Sequence, residues 1–175
     1  MFKSPEIKKE TDTHIIVVTG FSCSGKTTYS RNILTKIIPQ FRGLWCDIII
    51  RDRFDRCFEI YKNKCDGKII DEFIDYIRKS ISTTMPTIIE GAFRDLSILG
   101  RILEGHQNYT IINLIPSKLS YASFIEKRDK LWVLKDDNRY KQMWAEYEEL
   151  KKKFNNVKLV APYSLEPYSN FNKLL

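Results

Sequence analysis

The chain has 175 residues, 43% hydrophobic and 29% charged, a balance that fits one globular domain with its own core and excludes a disordered or fibrous polypeptide. No apolar run approaches the roughly 18 residues needed to span a bilayer. Lys and Arg number 29 against 22 Asp and Glu, a net charge of +7 that suits a nucleic acid and equally a site holding a triphosphate beside a second anion.

Residues 1–13 read as a polar leader without the apolar region of a signal peptide, and 14–175 as a single domain. The four cysteines, Cys23, Cys46, Cys57 and Cys65, form no C-x-x-C pair, so reduced thiols and a cytoplasmic location are expected. His14–Thr19 is a β-branched run and reads as a buried strand. A helix follows from about Lys26 to Ile38, stopped by Pro39. Leu44–Ile50 reads as a second strand, ending in the charged cluster Arg51–Arg56. A helical stretch at about 54–62 leads to a turn at Cys65-Asp66-Gly67.

Ile70, Phe73, Ile74, Ile77 and Ile81 recur at helical spacing, which predicts a helix over Ile69–Ser82. Pro86–Gly91 is a third strand with Glu90 at its C-terminal end, Leu96–Leu103 a helix, and Tyr109–Ile115 a fourth strand closed by Pro116. Ser117–Leu131 reads as a basic amphipathic helix. After the charged break Lys135–Arg139 comes a helix whose Tyr140, Met143, Trp144, Tyr147, Leu150 and Phe154 are expected in the core. The run Lys151-Lys152-Lys153 on that helix reads as a solvated face. Val157–Ala161 is a fifth strand. Alternating strands and helices imply parallel pairing through right-handed crossovers and a three-layer α/β fold.

The chemistry concentrates in "VVTGFSCSGKTTYS", residues 17–30, where Gly20, Gly25, Lys26 and Thr27 stand at the G-x-x-x-x-G-K-[ST] spacing between a strand and a helix. Glycines let the backbone curl so that its N–H groups converge on a phosphate, and the following helix adds its positive end. Gly20, Ser22, Cys23, Ser24, Gly25, Lys26, Thr27 and Thr28 are the expected nucleotide-binding residues. Lys26 should reach the β and γ phosphates and the Thr27 hydroxyl should ligate Mg²⁺. The string "NKCD" (Asn63, Lys64, Asp66) matches a guanine-reading motif by letter. It follows an amphipathic segment rather than a buried strand, so it reads as a turn and the GTPase reading is set aside.

Asp52, taken as the first carboxylate after the second strand, is the expected general base, with Asp47 and Asp55 as rivals. Its bland alternative is a surface ion pair with Arg51 or Arg53. In the loop, in Asp52 and in "TIIEG" (Thr87–Gly91) the chain resembles the small P-loop kinases of the uridine-kinase and phosphoribulokinase type. In "IIRDRFDR" (Ile49–Arg56) it is similar to the bacteriophage polynucleotide kinases.

The resemblance implies a P-loop kinase fold with a five-stranded parallel sheet, helices on both faces and a helical lid at about 117–139. It implies ATP and Mg²⁺ as cofactors, and transfer to a hydroxyl of a nucleotide, nucleoside or nucleic-acid end. It also implies that Arg53 or Arg56 orients the substrate, and that Glu90 holds Mg²⁺ through water or touches the acceptor. Arg128, or else Arg139, would serve as the lid cation. Glu90 could instead pair with Arg94, and the lid cations could be a solvated face. Arg53, Arg56 and Arg94 together favour an acceptor that carries phosphate, since guanidinium forks match phosphate oxygens. A sugar or sugar-acid kinase and a non-catalytic NTP-binding module are the alternatives.

Overall fold

The computed structural model describes residues 13–55, 59–127 and 137–162. Five strands, β1 (Ile15–Thr19), β2 (Arg42–Trp45), β3 (Thr87–Glu90), β4 (Tyr109–Leu114) and β5 (Val157–Val160), form one sheet in the order β2-β3-β1-β4-β5. Every pairing is parallel, with Val18 opposite Glu90 and Trp45 opposite Glu90 on the other side. The strand that delivers the glycine-rich loop is therefore central. Its C-terminal end lies beside the end of β3, and β3 lies beside β2.

Both faces are covered, as a parallel sheet requires. Ile15 and Val17 of β1 point into a core shared with α2 (Cys46–Phe54), α3 (Gly67–Ser80) and α4 (Leu96–Leu103). Ile16 and Val18 point the other way, against Tyr29, Leu34 and Ile38. Those residues belong to or follow α1, which runs through Lys26–Thr28, a wider π-type stretch Tyr29–Leu34, and Thr35–Ile37. A third cluster under the loop joins Phe21, Cys23 and Ile115 to Tyr121 and Ile125 of α5 (Lys118–Lys127) and Met143 of α6 (Asp137–Lys153). Ile70, Phe73, Ile74 and Ile77 are all buried on one face of α3. Each such side chain removed from water contributes about 1.5–3 kcal/mol.

The expected strand Leu44–Ile50 is corrected. The strand ends at Trp45, and Cys46–Ile50 begin a helix that runs to Phe54. Cys46 and Ile50, four residues apart, are buried on one helical face. The isoleucine run favours a strand by propensity, but packing against α3 and β3 decides otherwise. Asp55 ends the helix with a left-handed φ of 47°, which also removes the expected helix start at 54.

Asn63 takes a left-handed φ of 53° and Asp66 caps α3 through the Lys68 N–H, so the "NKCD" string is a turn. Arg139 lies inside α6, not in a break before it. Within α6, Met143 and Leu150 are buried as expected, whereas Trp144 is 41% exposed. Among the described residues no helix is long and apolar enough to cross a membrane. The leader up to residue 12, Arg56, Cys57, Arg128 and the rest of the lid at 128–136, and the tail from 163 lie outside the described residues.

Candidate active site

The loop after β1 has the curl that the motif demands. Gly20, Cys23 and Gly25 have φ of 152°, 66° and 90°. A Cβ on Gly20 would stand 2.7 Å from Ser24 Oγ and 3.0 Å from the Leu114 carbonyl, so only glycine fits there. Cys23 and Ser24 are buried and Ser22 is half-buried on the rim. The Ser24 N–H donates to the Phe21 carbonyl at 3.1 Å, and Lys26 Nζ donates to the same oxygen at 2.9 Å. The lysine thus lies back along the loop, with 8% of it exposed. Thr27 and Thr28 are half-buried at the start of α1.

Glu90, at the end of β3, meets α1. Thr27 Oγ1 donates to its Oε1 at 3.1 Å and Ser30 Oγ to its Oε2 at 3.0 Å. This buried carboxylate is turned to the loop rather than to Arg94. Its neighbour on the β2 side is Asp47, two residues past the end of the strand. Asp47 is exposed, and its Oδ1 accepts a 2.6 Å hydrogen bond from the phenol of Tyr61. Tyr61 is 2% exposed, and burial, with the nearby Cys46, Asp47 and Glu90, raises its pKa well above the ordinary phenol value. It therefore remains a donor. The same surroundings push up the Cys46 thiol, foremost through burial, and keep it protonated.

Asp52 is not brought to this place. It sits one turn farther along α2, exposed, with Arg51 at 2.7 Å. The hydrogen bond from Arg51 holds its carboxyl below the usual range. The bland reading of Asp52 is the one the geometry matches, because the earlier strand end hands its expected position to Asp47. Asp55 is exposed at the far end of α2. Arg53 also leaves the crevice, its guanidinium lying 4.5 Å over the ring of Tyr76 on α3.

Two arginines do gather at the loop. The guanidiniums of Arg94 and Arg139 lie 4.7 Å and 5.6 Å from the centre of the Phe21 ring, within cation–π range. Desolvation and then the charge of Arg139 lower the pKa of Arg94. Sequence reasoning missed their counter-charge. Glu146 of α6 lies within electrostatic reach of Arg94 and Lys26, yet burial pushes it up to about 7. Its only signal in the sequence was its place beside Met143 and Tyr147 on a helix read as packing. Tyr61, in a segment read as an ordinary amphipathic helix, gave no signal.

No family model matches the sequence, and no curated protein matches it. The fold does have solved counterparts. Shikimate kinase from Acinetobacter baumannii, in complex with shikimate, superposes with a TM-score of 0.59 at 13% identity, covering 94% of this chain and 92% of that one. A gluconokinase from Sinorhizobium meliloti gives 0.54 at 12% identity, covering 91% and 88%. Kti12 from Chaetomium thermophilum, in complex with ADP-AlF3, gives 0.50 at 15% identity, covering 91% and 96%. At these identities the likeness is one of fold: the chain has the three-layer fold of the small P-loop kinases, and the uridine-kinase and polynucleotide-kinase resemblances are not singled out.

Proposed function

We infer that the protein is an ATP- and Mg²⁺-dependent kinase that transfers the γ-phosphoryl group to a hydroxyl of a nucleotide, nucleoside or nucleic-acid end, with Asp47 as general base. One observation carries this reading. A phosphate-binding loop and a tyrosine-held carboxylate stand at the ends of β1 and β2, on either side of Glu90. Crevices at such strand ends are where open α/β sheets bind and react ligands.

In this reading Lys26 leaves the Phe21 carbonyl for the β and γ phosphates. Thr27 Oγ1 and Glu90 are hard oxygen donors 3.1 Å apart, the kind that holds Mg²⁺ together with phosphate oxygens and water. Among the described residues no three His, Cys, Asp or Glu side chains gather as a metal cage, so the residues fit an ion shared with nucleotide. When bound, that ion neutralises charge on the phosphates.

The acceptor oxygen bonds to γ-phosphorus as the bond to the bridging oxygen of ADP breaks, and the hydroxyl proton passes to Asp47. Tyr61 donates to Oδ1 and leaves Oδ2 for that proton. Arg94 and Arg139 carry positive charge to the place where equatorial oxygens accumulate negative charge. Of Arg53, Arg56 and Arg94, the arginines that favoured a phosphate-bearing acceptor, Arg53 lies over Tyr76 and Arg56 outside the described residues, so Arg94 alone supports that preference here.

A small-metabolite kinase is the competing reading, favoured by the fold's likeness to shikimate kinase and gluconokinase. Labelled ATP offered in parallel with nucleosides, nucleoside monophosphates, short 5′-hydroxyl oligonucleotides and sugar acids separates the two. Preferred labelling of a sugar acid transfers the assignment to metabolites. Wild-type turnover by a folded Lys26→Ala protein overturns the kinase reading altogether.

A further inference from the structure

Beside the reaction centre a cavity of about 620 Å³ opens between the turn after Tyr61, the start of α4 and the C-terminal half of α6. Neither Lys26, Asp47 nor Glu90 lines it, but Arg94 and Glu146 do, so it adjoins the site without being part of it. Lys62, Lys64 and Lys153 complete its charged rim.

The charges around this cavity do not cancel. Asp95 directs its charge to the start of α4, accepting from the Ser97 N–H at 3.0 Å and the Ser97 hydroxyl at 2.6 Å. Glu149 is bridged to Lys152 at 3.0 Å. Glu146, pushed up to about 7, carries only part of its charge at neutral pH. Against these three carboxylates stand four cations: Arg94, which Glu146 faces, Lys153, within electrostatic reach of Glu149, and Lys62 and Lys64, with none of the lysines in a salt bridge among the described residues.

The local backbone fixes this arrangement. The left-handed Asn63 closes the turn, and the Lys64 N–H returns to the Glu59 carbonyl at 3.0 Å. The Asp95 N–H ties the Tyr61 carbonyl at 2.9 Å, which joins the turn to the start of α4. One short turn therefore presents both Tyr61, the donor to Asp47, and two of the cavity's cations.

We propose that this cavity is an anion subsite for the acceptor, holding a phosphate group remote from the hydroxyl that is phosphorylated. The proposal rests on the kinase reading and narrows it to acceptors that are phosphomonoesters or phosphodiesters. Four cations from three separate elements outnumber the three carboxylates of the lining, and phosphate oxygens, which radiate in several directions, suit cations so dispersed. Lysine serves such groups as a point charge, and exposed lysines make the binding sensitive to salt.

The test is a calorimetric titration of the full chain, with the phosphate loop first saturated by a non-hydrolysable ATP analogue and Mg²⁺. Inorganic pyrophosphate, added next, is expected to bind as a second equivalent, and malonate at least about tenfold more weakly. In the Lys62→Gln/Lys64→Gln double variant and in Lys153→Gln, pyrophosphate affinity should fall at least about tenfold, the loss of one charge-assisted contact. The nucleotide isotherm serves as the folding check. Absence of a second equivalent, equal binding of malonate, or pyrophosphate affinity unmoved in both variants overturns the subsite. The kinase reading fails separately, if the first titration shows no saturable nucleotide binding.

Discussion

The two halves of the crevice are built by different means. In the proposed site the donor side draws Gly20, Gly25, Lys26, Thr27 and Ser30 from one continuous stretch, and Glu90 and Arg139 are brought to it from β3 and α6. Backbone conformation carries most of that chemistry. On the acceptor side Asp47, Tyr61, Arg94 and Glu146 come from α2, the turn before α3, the start of α4, and α6. That side is assembled from single side chains, each placed by packing. Phosphate is the same in every substrate and can be held by a fixed backbone cradle, whereas an acceptor site must be specific and is composed piecewise.

The largest expected effect tests whether the acceptor side has been assembled correctly. Asp47→Asn should lower kcat by about 10²–10⁴-fold with nucleotide affinity retained, and Asp52→Asn should stay within about twofold. Steady-state kinetics on both variants decides between the carboxylates, and the reverse pattern would restore Asp52.

The donor side is tested next through its backbone. Gly20→Ala forces a Cβ to within 2.7 Å of Ser24 Oγ at a φ of 152°, and should destabilise the fold by about 1–3 kcal/mol in chemical denaturation. An unchanged midpoint would mean that the loop adapts and is no fixed cradle.

Tyr61→Phe sharpens the acceptor side further. Loss of the 2.6 Å donor should reduce kcat about tenfold without changing the KM for ATP, because only the orientation of Asp47 suffers. In an Asp47→Asn background the same change should add nothing, and independent effects in that double-mutant cycle would reduce Tyr61 to packing.

The smallest effect concerns Glu146. Its folded-state pKa of about 7 lies above the ordinary carboxyl value of 4.5, so the folded protein binds more protons than the unfolded chain between those values. Stability from this group is therefore present at low pH and lost as pH rises through about 7. Glu146→Gln should match the wild type in Tm near pH 4.5 and exceed it by about 3 °C at pH 8, as measured by thermal melts. A constant difference across that range would mean that the carboxyl titrates normally.

What the sequence made legible follows the same division. The loop, the central strand, α3, α4 and Glu90 could be read because each is encoded by local spacing or by an unbroken apolar pattern. Asp47 was passed over in favour of Asp52 because Leu44–Ile50 is apolar apart from Asp47 itself, and a strand read through to Ile50 puts that carboxylate inside the strand rather than past its end. Period alone cannot tell a buried strand from a strand that turns into a helix. Tyr61 and Glu146 were invisible for another reason: their roles exist only where the turn, the end of β2 and α6 meet, and no window of sequence contains those three. The "NKCD" turn was read correctly as backbone and still concealed Lys64, which with Lys62 just before it lines a cavity.

The central place of β1 bears on how the protein is made. Among the described strands β1 is made first, and the strands it pairs with, β3 and β4, follow some 70 to 95 positions later. Such non-local pairing is slow to form. The outer wall of the phosphate loop arrives later still, because Gly25 packs against Pro162, where an added Cβ would come within 3.2 Å. A nascent chain halted anywhere between residue 114 and residue 162 would hold the sheet's middle strands but an unfinished loop, and nucleotide added then would find little to stabilise. If the loop holds nucleotide as proposed, that binding energy reaches only molecules in which β5 and Pro162 are already in place.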